Sequence, residues 1–222
     1  MIKKIITKID NRFKTNLYEK AVKLREFYHP FIFKWKFKLG ITNINSIKLH
    51  IGCGGIKKEG YINIDAIRTF ATDIVYDVTR KLPFEDNSVE IIECYHALEH
   101  LPICLHANID PKFGEPYASL IRILNKWRRV LKPNGKLIIE VPHFEKLVEE
   151  YINADNKKKE ELIVYIYGSY RFHNIHDIHR WGCNEYRLEY ILKKAGFRNI
   201  EFKEAEDYHK EFCPSLRVEC IK

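Results

Sequence analysis

The spacing of hydrophobic residues changes period twice along the chain. Between residues 9 and 28, Phe13, Leu17, Ala21, Leu24 and Tyr28 recur every three or four positions. That spacing puts them on one face of an amphipathic helix, which Pro30 ends. From Phe31 to Leu39 the period drops to two. Phe31, Phe33, Trp35, Phe37 and Leu39 share one parity and Lys34, Lys36 and Lys38 the other, which predicts a short strand or extended segment. Gly40 and the polar run Thr42 to Ser46 mark a boundary. Beyond it the chain predicts strands at Lys48–Ile51, Tyr61–Asp65, Asp73–Asp77, Glu90–Tyr95, Lys136–Val141, Asn199–Phe202 and Leu216–Ile221. One predicted helix, Tyr117–Leu131, is stopped by the turn signal Lys132-Pro133-Asn134-Gly135. A second contains Leu188–Ala195, with Gly196 where a left-handed cap falls. Strands alternating with helices predict an α/β fold: a doubly wound, mostly parallel sheet in residues 45–222, preceded by an extension in residues 1–44.

Composition narrows the class. The 222 residues, 45% hydrophobic, suffice for one sizeable core. No apolar run approaches the ~20 residues of a membrane span. Charge interrupts Met1 to Lys8 too early for a signal peptide, so the chain is expected in the reducing cytoplasm. Cys53, Cys94, Cys104, Cys183, Cys213 and Cys220 form no CxxC pair, which argues for small core residues and against a zinc knuckle. The net charge of +8 is unevenly placed, because residues 1–48 hold 12 Lys and Arg against 3 Asp and Glu. The body is close to neutral, which argues against a groove built to track nucleic-acid phosphates. The interleaved basic and aromatic residues of the extension leave several readings open. Residues 1–40 could touch a membrane surface, an anionic glycan or nucleic acid, or form a dimer interface; alternatively, the aromatic side packs on the body and the lysines are solvated.

The candidate chemistry begins at Leu49-His50-Ile51-Gly52-Cys53-Gly54-Gly55, a strand running directly into a glycine turn. Such a turn lets a ligand lie against the main chain. A phosphate-cradling motif also expects a following helix, and here six residues separate Gly54 from Tyr61 and leave no room for one. Asp65 ends the second strand, where a carboxylate can accept both hydroxyl protons of a ribose. Three segments follow: Asp77-Val78-Thr79 through Leu82-Pro83-Phe84 to Asn87-Ser88-Val89, then Tyr95-His96-Ala97-Leu98-Glu99-His100, then Arg129-Val130-Leu131-Lys132-Pro133-Asn134-Gly135. In this order the five motifs resemble the class I S-adenosylmethionine-dependent methyltransferases of the methyltransferase type 11 kind. They are most similar to a branch with a short first crossover that is often linked to glycan or lipopolysaccharide pathways. The resemblance covers roughly residues 47–222.

That resemblance implies a Rossmann-like seven-stranded sheet and S-adenosyl-L-methionine as the methyl donor. Gly52 and Gly54 would pass under the methionine part, Asp65 would bind the ribose, Asp77 and Val78 would face the adenine, and His96 would flank the methionine end. The acceptor is expected to be a small molecule or a glycan, attacked in line, with a histidine as general base. His179 is the first base candidate and His143 the second, since an ordinary imidazole titrates near pH 6.5. His173, His176 and His179 are spaced by three and on a helix would share a face, but no further metal ligand is convincingly placed, so no metal is assigned. Glu99 and His100 are expected to cap the next helix. A nucleic-acid methyltransferase is the alternative, and neither an Asn/Asp-Pro-Pro-Tyr/Phe motif nor a Pro-Cys nucleophile occurs to support it. A non-catalytic binding protein would be expected to lack the donor acids, and Asp65 and Asp77 are both present.

Overall fold

A computed structural model of the protein describes residues 46–103, 114–169 and 175–222. The helix and aromatic–lysine segment expected in residues 1–44, together with Cys104 and His173, lie outside the described residues. The strands are β1 (Ile47–Ile51), β2 (Ile62–Asp65), β3 (Ile74–Val75), β4 (Val89–Tyr95), β5 (Leu131–Pro142), β6 (Arg198–Lys203) and β7 (Ser215–Ile221). The described α-helices are α1 (Ala118–Val130), α2 (Phe144–Asn153), α3 (Asn156–Tyr167) and α4 (Glu185–Lys194). None is long and apolar enough to cross a membrane.

The strands form one seven-stranded sheet in the order β3-β2-β1-β4-β5-β7-β6. Pairings from β3 across to β5 are parallel, and β7 runs antiparallel to both of its neighbours, so the sheet is mixed with six strands in a common direction. Leu49, Ile51, Ile92, Cys94, Leu137, Ile139, Val141, Val218 and Cys220 alternate along their strands and are all buried. In α1, Leu120, Ile123, Leu124, Trp127 and Val130 supply a matching apolar stripe, and Trp127 is fully buried. The Trp127 indole N–H donates to the Val78 carbonyl at 2.9 Å, tying the loop after β3 to the helix.

The first crossover contains no helix, as the short spacing requires. Buried polar groups hold it instead. Asn63, fully buried on β2, accepts the Lys58 backbone N–H at 2.9 Å and faces His50 Nδ1 at 3.0 Å. Glu93, buried on β4, accepts the Tyr61 hydroxyl at 2.6 Å, the Tyr95 hydroxyl at 2.8 Å and the Lys58 ammonium. Burial alone would raise the Glu93 pKa, but these donors outweigh it and hold the carboxyl below its ordinary range.

Strand β5 is longer than its apolar core predicts. The turn sequence Lys132-Pro133-Asn134-Gly135 lies within it as an irregularity: Val89 pairs with Leu131 and Ile91 with Lys136, while Asn134 takes φ 62°. Gly196, at φ 82°, follows α4 as expected. The charged run Lys157 to Glu161 falls on α3 and is mostly exposed.

Candidate functional site

In the strand order, the direction of winding reverses between β1 and β4. Open α/β sheets place ligands in the crevice at the carboxyl ends of the strands at such a reversal. The glycine turn follows β1 and His96-Ala97 follows β4, so both border that crevice. Gly52 has φ +72°, and a Cβ placed on it would lie 2.2 Å from the Ala97 Cβ. Both the backbone conformation and the close approach to β4's end therefore demand glycine. Gly52 N–H donates to the Ile64 carbonyl at 2.8 Å, which seats the turn against β2. Gly54 has φ +51° and nothing within 4 Å of where a Cβ would be, so this part of the turn faces open space.

Asp65 joins the two halves of this corner. Its Oδ2 accepts the Gly54 N–H at 2.8 Å and its Oδ1 accepts the Ile67 N–H at 2.9 Å. A carboxylate offers about four lone-pair sites. Each Asp65 oxygen thus keeps capacity for one further donor, which matches a pair of vicinal hydroxyls. The open space at Gly54 and this carboxylate fit the ribose and methionine end of the methyl donor.

Asp77 lies just past β3 and is more heavily committed. Its Oδ1 accepts the Thr79 N–H at 3.0 Å and the Thr79 hydroxyl at 2.6 Å, and its Oδ2 accepts Arg80 Nε at 3.1 Å. Burial opposes ionisation there, yet these donors hold the carboxyl below its ordinary range. Room for an adenine amine remains on Oδ2. Val78 is buried, with its carbonyl bound to Trp127, so it anchors the Asp77 turn and offers no exposed side chain.

His96 has φ 46° and turns away from β4 toward β7. Its Nε2 lies 3.2 Å from the Ser215 hydroxyl, its ring stacks on His209 at 4.0 Å, and its Nδ1 is 3.7 Å from Glu99 Oε1. Burial and the neighbouring His209 push its pKa down to about 3. The same Glu99 oxygen is 3.9 Å from His179 Nε2, whose ring meets His100 edge-on at 4.8 Å. Burial and His100 lower the His179 pKa to about 4.

Three expectations change here. Leu98–His100 form a single 3-10 turn, and Glu99, 2% exposed, caps nothing among the described residues. Burial raises its carboxyl to about 8, and neither oxygen has a hydrogen-bond partner among the described residues. Its local sequence resembles a capping signal, but the contacts that bury it come from far along the chain. Arg180 N–H donates to the Glu99 carbonyl and the Trp181 indole to the Leu98 carbonyl at 3.3 Å. Second, His176 and His179 share no helix face. Ile175–Asp177 is one 3-10 turn, and Ile178 then pairs with Gly168 in an isolated antiparallel bridge. Third, His143 is the N-cap of α2. Its Nδ1 accepts the Lys146 N–H at 3.5 Å, so its Nε2 carries the proton and donates to Glu185 at 3.1 Å. Both ring nitrogens are engaged and the side chain is buried, which leaves no lone pair for a substrate.

A groove of about 750 Å³ lies along the same edge of the sheet, lined by His143, Lys146, Glu185, Lys203, Lys210 and Ser215 among others. Through Ser215 it adjoins His96. The sequence carried no signal for it, since its walls come from α2, α4, β6 and β7.

Comparison with known proteins agrees in class. Residues 57–139 match the family model described as a methyltransferase domain, a stretch containing Asp65, Asp77, His96 and Glu99. Over 76 residues the chain is 33% identical to an uncharacterized protein of Methanocaldococcus jannaschii, a match spanning 34% of this chain and 26% of that protein. The chain therefore aligns with about a quarter of the curated relative it matches. Similar solved structures include a SAM-dependent methyltransferase from Archaeoglobus fulgidus, at 17% identity, 91% of this chain, 99% of that chain and TM-score 0.48. Another is a possible histamine N-methyltransferase from Thermotoga maritima, at 14% identity, 91% of this chain, 95% of that chain and TM-score 0.48. A third is phosphoethanolamine N-methyltransferase 2 of Haemonchus contortus in complex with S-adenosyl-L-methionine, at 16% identity, 83% of this chain, 50% of that chain and TM-score 0.48. The matched stretch runs from the first crossover into β5 of the seven-stranded sheet.

Proposed function

We propose that the chain is a methyltransferase that moves the methyl group of S-adenosyl-L-methionine to an oxygen or nitrogen of a small-molecule or glycan acceptor. The observation that carries this reading is the corner at the sheet's reversal. There a glycine turn with open space above Gly54 is fastened to a strand-end carboxylate that retains one acceptor site per oxygen. The bound donor would supply an already activated methyl group on sulfonium. The chain's part is to hold the acceptor in line and exclude water, and positioning of that kind can supply roughly 7–11 kcal/mol of a barrier.

The open polar groove beside His96 is of a size that suits a sugar or a comparably polar small molecule. The nearly neutral charge of the body supports the same preference over nucleic acid. Of the two histidine bases, His179 is favoured: its imidazole is neutral at physiological pH, whereas both His143 nitrogens are occupied. The test is methyl-labelled donor incubated with the full chain and separate panels of small hydroxyl and amine compounds, polysaccharides and nucleic acids. Label is expected in the first two panels. Label found in nucleic acid alone would contradict the acceptor assignment.

A further inference from the structure

Two imidazoles and a carboxylate converge behind the glycine turn. Glu99, His100 and His179 each present one ligand atom, and the three atoms lie within 4.8 Å of one another. Glu99 is 2% exposed, and both its oxygens lack a hydrogen-bond partner among the described residues. A buried carboxylate left in that state is costly, and pairing or metal coordination removes the cost. A small cavity lined by Glu99, His179, Pro142, Phe144 and Trp181 among others has room for about one water-sized particle.

We propose that Glu99, His100 and His179 bind one divalent cation of the zinc class. The donor set is a carboxylate and two imidazoles, a combination that leaves a fourth position open to water or another ligand. Tetrahedral coordination with bonds of about 2.0–2.1 Å needs donors roughly 3.3 Å apart. The 3.9 Å between His179 Nε2 and Glu99 Oε1 is thus closed by a small side-chain adjustment. His96 Nδ1 lies 3.7 Å from the same oxygen.

The surroundings orient the ligands. His100 Nδ1 lies 3.1 Å from the Ile178 carbonyl, so it carries the proton and donates it, which leaves the ring's lone pair on Nε2. Carbonyls holding the outer nitrogen of a metal-ligating histidine are the usual device for fixing tautomer and ring direction. The neighbouring trio His96, Asp207 and His209 differs on this point: His209 is already paired with Asp207, and His96 Nε2 with Ser215. The cation site stands on side-chain geometry alone and does not depend on the methyl-transfer reading. A cation bound there would take the lone pair of His179 and so displace it from the role of base.

The full chain, stripped with a chelator and dialysed, is titrated with Zn²⁺ by calorimetry and with Co²⁺ by visible absorption. One equivalent of either ion is expected to bind, with Co²⁺ giving the absorption of a low-coordinate site. E99Q and H179A should each weaken binding at least ~100-fold, beyond the 10–100-fold that loss of an outer-shell partner costs. H209A should leave binding unchanged. E99Q preserves side-chain shape and cannot ionise, so it should fold about as stably as the metal-free wild type and carries the test alone if H179A misfolds. No binding by the wild type, equal binding by E99Q, or loss of binding in H209A alone would each overturn the proposal.

Discussion

Replacing Gly52 with alanine tests the geometry of the corner in a form that separates two physical costs. The added methyl would sit 2.2 Å from the Ala97 Cβ, far inside the 3.5–4.0 Å at which carbon atoms attract. It would also hold an alanine at φ +72°. The left-handed conformation costs roughly 1–2 kcal/mol for a residue with a Cβ. Overpacking of a tight site typically costs about 1–3 kcal/mol. Together they predict a loss of roughly 2–5 kcal/mol, or a melting temperature lower by roughly 4–20 °C in a domain of this size. A97G made in the G52A background removes the opposing methyl, and the next atom, the Ala97 Cα, is at 3.7 Å and tolerates the new group. The clash should therefore be recovered and the backbone cost should persist, giving a coupling energy of about 1–3 kcal/mol in a double-mutant cycle. Urea unfolding followed by circular dichroism reads all four proteins. Stability of G52A within about 0.5 kcal/mol of wild type, or a coupling energy near zero, would refute the reasoning.

Two further substitutions probe the buried charges under the groove. Glu140, fully buried, accepts Arg217 at 2.7 Å and the Glu206 and Asp207 N–H groups at 2.9 and 3.0 Å. Glu140→Leu leaves the Glu206 and Asp207 N–H groups unpaired and Arg217 with Glu206 and Glu219 alone, and urea titration should show a loss on the order of 2–6 kcal/mol; a neutral result would mean the loop repacks without it. Glu219 is the pH-sensitive member: burial would raise its carboxyl, but Arg217 and Lys136 outweigh that and hold it at about 2. Its folded pKa is below the unfolded value near 4.3, so its stabilisation is complete above about pH 5 and lost as pH falls toward 2. The stability gap between wild type and Glu219→Gln should accordingly shrink across that acid range, and a gap constant with pH would contradict the pairing.

The strands were readable because each is a short apolar run bounded by polar turns, and the structure shifts their ends by a few residues. Helices α2 and α3 were not delimited, and the reason is visible in their packing: each buries one residue, Leu147 and Leu162. One buried position per helix is too thin a stripe to give a period. The Asp65 corner was legible because strand, glycine turn and acid follow within a short stretch. Glu99 was not, because the groups that cover it belong to residues some 80 positions later. His143 escaped for a different reason: histidine is outside the usual set of helix N-caps, so nothing in its neighbourhood announced that role.

The central claim is that the corner of Gly52, Gly54 and Asp65 binds the methyl donor. Calorimetric titration of the full chain with S-adenosylhomocysteine, beside the Asp65→Ala variant, tests it most directly. The account predicts one site in the wild type and affinity at least ~10-fold weaker in the variant, since one lost pair of hydroxyl contacts is worth about 1.4 kcal/mol or more. No binding by the wild type, or equal binding by both proteins, would contradict it.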